Sequence, residues 1–481
     1  MRLTVVALCL GSMLGILAQP ISVTSSATQA ADFTLAAPQG FGDRQNGWAW
    51  SMLWWNGFLY VGTNRAYHCA EVAALNRVFP ILFPYPPSDP DVVCAPAPED
   101  LPLQAEIWRW SPDANAWERV YQSPNDVPIP GQPGKFVARD IGFRGMSVFT
   151  EADGAEVLYA SGVSARFIWP GLPPPRLLRS TDGLNFEPVP QEAGTVLGDF
   201  TGDSFRGQIT FNNKFYIIGG SVLGSGVLFE AEAPAGGNNN FQAVSPPNQL
   251  VSEIQPFNGF LYLAISDAVN GYSVIKTDAV GNPPYTYTTV IERGGYLLPR
   301  PNMELLSMRV FNNRLYAGGN GITLAELGLA GPAELIRVNP DDTWEVVVGN
   351  ARITPTGLKT PLSGFNAGFD NPFNGHMWRM EVYDDNLYVG TFDSSTTLKE
   401  DPTIEPIARP YMGFDLYSTS NGTDFYPVTT DGFGDKFNFG VRSLQATPYG
   451  LFLGTANYYY GLQVWRSQAS HKVYLPVIAK P

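Results

Sequence analysis

The sequence predicts an all-β chain closed into a ring of seven four-stranded blades, a seven-bladed β-propeller. Three observations carry that expectation. Residues 425–466 (FYPVTTDGFGDKFNFGVRSLQATPYGLFLGTANYYYGLQVWR) have weaker copies throughout the chain. The start of this stretch aligns without a gap to residues 33–63, sharing Gly-Phe-Gly-Asp, a basic residue, then Asn, Leu and Gly-Thr. Repetition at tens of residues marks stacked or circular architectures. Composition agrees: 49 Gly, 41 Pro, 44% hydrophobic and only 15% charged residues describe a chain rich in tight turns.

Each copy begins with an apolar strand that turns through Asn-Gly, Asn-Asn or a similar pair into a second strand ending in Gly. Such alternation around such turns makes a β-hairpin. The hairpin recurs at residues 51–63, 146–162, 208–220, 253–265, 307–319, 379–391 and 443–455, which sets the blade number at seven. A third strand and an aromatic-bearing fourth follow, most clearly at 106–120, 177–189, 334–347 and 415–428, and four strands per unit is a propeller blade. The last unit stops after its third strand, 461–467, whereas an orphan fourth strand beginning at Phe33 precedes the first unit. The N-terminal strand therefore completes the seventh blade as its outermost strand, which closes the ring without a separate clasp.

Residues 1–30 read as a secretory signal peptide: Arg2, an apolar run from Leu3 to Leu17, then small polar residues ending at Ala30. Pro20 and the shortness of the run oppose a membrane anchor, so no transmembrane span is expected in the mature chain. Residues 31–467 form one propeller, with a long insertion at 64–103, and residues 468–481 form a short tail. Cys9 lies in the leader, leaving Cys69 and Cys94, which in an exported chain most simply form one disulfide. The net charge of −14 becomes −15 once Arg2 leaves with the leader, which excludes an undirected nucleic-acid or anionic-membrane role.

The excess length lies in loops that belong to one face: 64–103; 163–175, with Phe167, Trp169 and three consecutive prolines; 350–374; and 392–412. Tyr458, Tyr459 and Tyr460 join them there. Specificity resides in such loops; the alternative is that proline-rich segments merely cover blade ends.

Residues 106–120 resemble the second half of a kelch blade, and Gly219-Gly220 and Gly318-Gly319 sit where kelch glycines do. Residues 180–186 and 420–425 resemble shortened Asp-boxes, which in sialidase-like propellers are stabilising turns away from the active site. The whole phrase, GFGD-x-x-N-x-G-V-R-S through G-L-x-V-W-R-S, is similar to uncharacterised exported bacterial propellers, a resemblance that implies architecture and no activity. The ending HKVYLPVIAKP resembles the sorting tail of exported proteins of one bacterial phylum, which implies secretion with surface attachment; the alternative is an edge strand.

Aligned on their second strands, the units place Arg144, Arg206 and Arg442 at one position near the start of the innermost strand, where Trp50, Ser252, Leu306 and Trp378 stand in the other blades. Three guanidiniums converging at a channel mouth suit a carboxylate or sulfate; alternatively each ties to a neighbouring acid such as Asp140, Asp203 or Asp435. His376, two residues before Trp378, is the candidate general base, with Arg442 as its companion, if the chain is catalytic. Aromatic residues at 13%, among them Trp50, Trp169, Trp378 and Tyr458 to Tyr460, suit sugar rings, although blade packing also uses such residues; Trp117, Trp344, Phe186 and Phe425 are assigned to the core. No phosphate loop, nucleophile elbow, multi-histidine centre or calcium loop is present in the sequence. Asp199 and Asp203 can share a structural calcium ion; no other cofactor or metal is expected.

The sequence thus favours a secreted or surface-attached propeller that binds a carbohydrate or an extracellular protein on its insertion-bearing face without catalysis. A polysaccharide lyase or another glycan-degrading enzyme such as a glycoside hydrolase is the first alternative, and a structural part of an extracellular assembly the second. The ligand and the oligomeric state are not legible in it.

Overall fold

The computed structural model describes residues 33–468 apart from 223, 298–300, 322, 325–328 and 331. The expected leader, 1–30, and all of the expected tail but Gln468 lie outside the described residues. Twenty-eight strands form seven antiparallel four-stranded blades. The first blade runs Asn46–Trp55, Phe58–Arg65, Glu106–Ser111 and Ala116–Gln122 from the inside outward. The next five repeat this order, with inner strands Gly142–Thr150, Ser204–Phe211, Leu250–Phe257, Glu304–Phe311 and Asn374–Tyr383. The seventh takes Gly440–Thr447, Gly450–Ala456 and Val464–Ser467 from the C-terminal end, and Phe33–Leu35 pairs antiparallel outside them, Phe33 opposite Ser467. The N-terminal strand closes the ring as expected.

The hairpins turn where the residue types allow a positive φ: Asn56-Gly57 (50° and 82°), Asn258-Gly259 (50° and 80°) and Asn312-Asn313 (47° and 55°). The shared Gly-Phe phrase has a local cause as well. Gly40-Phe41 and Gly432-Phe433 are left-handed pairs (58° and 53°; 65° and 60°) that lead the chain into the next inner strand. An asparagine six residues beyond each glycine locks the turn: Asn46 Nδ2 donates to Gly40 O at 3.0 Å and Glu106 Oε2 at 2.8 Å, and Asn438 Nδ2 to Gly432 O at 3.0 Å and Gln463 Oε1 at 2.7 Å. A third copy stands at Gly368-Phe369, locked by Asn374 through Gly368 O and Asp415.

The core is a set of wedges between blades rather than one centre. Tyr60, Ile107, Phe143 and Leu178 fill the space between the first two blades, and Met52, Val61, Phe452 and Val464 fill it between the seventh and the first. Each large side chain buried in this way contributes about 1.5–3 kcal/mol. Phe186 and Phe425 belong to these wedges, whereas Trp117 and Trp344, on outermost strands, are only half-buried.

The insertion at 64–103 holds an element the proline-rich reading did not foresee, an α-helix at Tyr67–Val78. The Cys69–Cys94 disulfide ties it to the returning chain. The insertions add a tie across the blades that meet at the closure. Lys399, from the 392–412 insertion, places Nζ 2.6 Å from Asp89 and 2.8 Å from Asp91 of the first insertion. Arg44 Nη2 donates to Asp91 O at 2.7 Å and also to Tyr459 O.

Candidate functional site

The position occupied by Trp50, Arg144, Ser252, Leu306, Trp378 and Arg442 is a β-bulge: the pairing register skips that one residue in each of these inner strands. In the third blade the skipped residue is Gly207, directly after Arg206. A bulge re-aims side chains away from the pleat. It also bends the strand toward the next blade, where the serine after it makes a tie. Ser51 Oγ donates to Phe143 O at 2.8 Å, Ser307 Oγ to Met377 O at 2.7 Å, and Ser443 Oγ to Ala49 O at 2.8 Å.

In two blades arginine and glutamate replace that serine. Arg379 Nη1 lies 3.5 Å from Glu253 Oε2 and 3.3 Å from Leu306 O, and its Nε donates to Arg442 O at 3.2 Å. Arg379 is thus a fourth guanidinium at the mouth, one residue past the aligned position. Arg144 Nη1 donates to Val222 O at 2.7 Å and leans on the Trp50 ring at 5.7 Å. Arg206 donates to Gly224 O and Ser252 O, both at 2.9 Å. Arg442 is 2% exposed, sits 5.1 Å from the Trp378 ring centroid, and has Nε and Nη1 buried without a hydrogen-bond partner.

The ties to neighbouring acids are not made. Asp140 pairs with Arg176, Asp203 accepts from Val222 N, and Asp435 accepts from Gln463. Arg144 and Arg206 bond backbone carbonyls instead. Burial, then the charges of Arg206 and Arg379, pushes Arg144 down to about 9. Burial, then Arg379, Arg144 and Arg206, holds Arg442 well below the ordinary guanidinium range. The compensating carboxylates near the cluster include Glu253, Glu304 and, beside Arg144, Asp203; Glu304 also accepts from Ser266 Oγ at 3.0 Å and Asn320 Nδ2 at 2.9 Å.

Above the arginines, aromatic rings form a layer shared by several blades. Trp48 lies 5.5 Å from Trp378, 6.0 Å from Phe439 and 5.3 Å from Tyr67, and Trp50 lies 5.1 Å from Tyr67. Two glycines admit the tryptophans. A Cβ on Gly142 would stand 2.0 Å from Trp50 Cζ3, and one on Gly440 2.3 Å from Trp378 Cζ3.

The other aromatic candidates face inward except Tyr460. Tyr458 stacks on His68 with centroids 4.0 Å apart, Tyr459 is buried, and Trp169 packs beneath its loop. Tyr460 is exposed, with its hydroxyl bonded to Asp91. His376 is buried against Phe392 at 4.5 Å; its Nδ1 has no partner, and burial pushes it down to about 4. Asp199 accepts from Gly194 N, while Asp203 is raised by burial.

A separate cleft of about 420 Å³ opens beside the second blade, lined in part by Pro173, Pro174, Pro188, Pro190, Arg139 and Arg176. Its cations are already used, Arg139 by Asp126 and Arg176 by Asp140. Unspent donors lie at the channel mouth.

No family model matches the chain, and no curated protein sequence matches it. Among solved structures, the mitotic checkpoint complex is similar over 94% of this chain and 96% of that one, at 11% identity and a TM-score of 0.46. The nidogen/laminin complex is similar over 67% and 93%, at 12% identity and a TM-score of 0.34. An α-L-arabinofuranosidase (CtGH43) from Clostridium thermocellum is similar over 62% and 93%, at 13% identity and a TM-score of 0.32. Likenesses at this level bear on neither ligand nor chemistry.

Proposed function

We propose that the chain is an exported, non-catalytic propeller that binds an anionic ligand, a carbohydrate or an extracellular protein segment, at the arginine-lined channel mouth beneath its insertions. One observation carries the reading: the Arg442 guanidinium is 2% exposed and two of its nitrogens are left without acceptors. A buried charge is costly unless paired, so a cluster of this kind is complete only when a partner brings acceptors. Arg144, Arg206 and Arg379 supply the remaining donors. Trp50 and Trp378 back the guanidiniums, and Trp169 with Tyr458 to Tyr460 shape the face around them.

Export is supported by the leader-like start of the sequence and the Cys69–Cys94 disulfide. No helix of the described residues is long and apolar enough to cross a membrane. In this reading the ending 468–481 serves surface attachment.

The lyase alternative is disfavoured by His376. An imidazole pushed down to about 4 is neutral at neutral pH, but it is too weakly basic to take a proton from carbon efficiently. The test is incubation of the chain from residue 31 onward with acidic and neutral polysaccharides, scoring retention and product release together. Retention of acidic polymers that is lost in Arg442→Met, without release, is the expected result. Release of unsaturated, ultraviolet-absorbing products that is lost in His376→Gln would replace the binder with the lyase.

A further inference from the structure

The four arginines converge from four different inner strands, those of the second, third, sixth and seventh blades. Donors that approach from several directions around a ring do not match a planar carboxylate, which one or two guanidinium forks saturate. They match an acceptor with oxygens distributed in three dimensions.

Charge points the same way. Four guanidiniums stand against the carboxylates of Glu253, Glu304 and, beside Arg144, Asp203, so positive charge is in excess inside a nearly closed mouth. Arg442 and Arg206 are 2% and 8% exposed, so solvent screens little of that surplus. The downward push on Arg144 and Arg442, a cost of charging, comes first from burial and then from the neighbouring guanidiniums. Because a guanidinium does not give up its proton near neutral pH, the cost is relieved by a counter-anion rather than by deprotonation.

Resting on the anion-binding reading above, we infer that the channel mouth recognises a compact tetrahedral oxyanion carrying two negative charges, sulfate or phosphate in type, held among Arg144, Arg206, Arg379 and Arg442. The free nitrogens of Arg442 donate first, since its Nε and Nη1 are buried without an acceptor. Arg144 keeps nitrogens beyond Nη1, and Arg379 beyond Nε and Nη1, which are already bonded. Such a group arrives either as a free inorganic ion or as the phosphate monoester of a larger molecule, and the same donors take both.

The test compares thermal unfolding of the dialysed protein in sulfate, inorganic phosphate, a hexose phosphate, chloride, acetate and an oligogalacturonate, at matched ionic strength. Unfolding temperature rises in sulfate and phosphate and stays flat in chloride and acetate. A rise in hexose phosphate beyond that in inorganic phosphate identifies the ester as the source; an equal or smaller rise identifies the free ion. Calorimetric titration gives an affinity for the dianion that Arg442→Met weakens about tenfold to a hundredfold, the share of one or two charge-assisted hydrogen bonds. Should that variant not fold, Arg144→Gln, at a half-exposed position, serves the same purpose.

Stabilisation by oligogalacturonate alone, dependent on Arg442, would overturn the dianion and leave the anion-binding function standing. Dianion binding without retention of any polymer would overturn the polymeric ligand of the proposed function and leave the dianion site standing. No response to any anion would overturn both.

Discussion

Replacing Arg442 by methionine removes a buried charge whose donors are unmade, so the ligand-free protein becomes more stable. Two guanidinium nitrogens, Nε and Nη1, are buried without acceptors. Each such unmet donor costs about 1–3 kcal/mol. Against that, the variant loses the interaction with the Trp378 ring at 5.1 Å, which contributes about 0.5–2 kcal/mol. The methionine chain keeps most of the aliphatic stem's packing, leaving a net stabilisation of about 0–5.5 kcal/mol, centred on about 3. Urea unfolding in a buffer free of sulfate and phosphate measures it as a rise in midpoint at unchanged slope. In saturating sulfate the gap shifts in favour of the wild type by about 1.4–2.7 kcal/mol, the differential linkage of an affinity tenfold to a hundredfold tighter. A midpoint that falls in the anion-free buffer would refute the reasoning, since Arg442 would then be a structural tie whose acceptors are met.

Three further outcomes follow from other parts of the molecule. Burial pushes Asp393 up from the ordinary aspartate value of 3.8 to about 8. The folded state therefore holds a proton that the unfolded state releases, and this group's contribution to stability falls as pH rises from about 4 through 8. Unfolding midpoints at pH 5 and pH 8 should lie closer together in Asp393→Asn than in wild type; equal separations would argue against a buried neutral carboxyl. Gly440→Ala forces a Cβ to 2.3 Å from Trp378 Cζ3 and should cost about 1–3 kcal/mol in urea unfolding, whereas Gly57→Ala, where no atom lies within 4 Å of the added carbon but φ is 82°, should cost about 1 kcal/mol. Reduction of the Cys69–Cys94 disulfide removes a cross-link spanning 25 residues, about 3 kcal/mol in the chain-entropy account. Limited proteolysis should then cut within 79–93 while the blades stay intact, and unchanged resistance would mean that the Lys399 tie alone holds the insertion.

The blades were legible because period-two patterning and asparagine turns are local signals, repeated seven times. Even the ring closure could be read, since Phe33 matches a fourth strand and nothing else in the repeat. The helix at Tyr67–Val78 could not, because it exists once, has no repeat to align with, and lies beside the prolines of its own loop. Its run Ala-Glu-Val-Ala-Ala-Leu was the available signal. Alignment found Arg144, Arg206 and Arg442 but missed Arg379 and Glu253, because the bulge makes two consecutive positions count and alignment on one column hides the next. The inward turn of Tyr458 and Tyr459 depends on His68, Phe437 and Phe439, contacts that span separate segments and leave no trace in spacing. The carbonyl partners of the arginines were invisible for a related reason: every residue has one, and only the ring geometry selects which is used.

The central claim is that the four guanidiniums form one anion site on the channel axis. Crystals soaked in selenate, a tetrahedral dianion with a strong anomalous signal, test it most directly. A single dominant anomalous peak is expected within hydrogen-bond distance of Arg442 and of at least one of Arg144, Arg206 and Arg379, absent from Arg442→Met crystals. An empty mouth, or selenate found only at exposed sites such as Arg409, would contradict it.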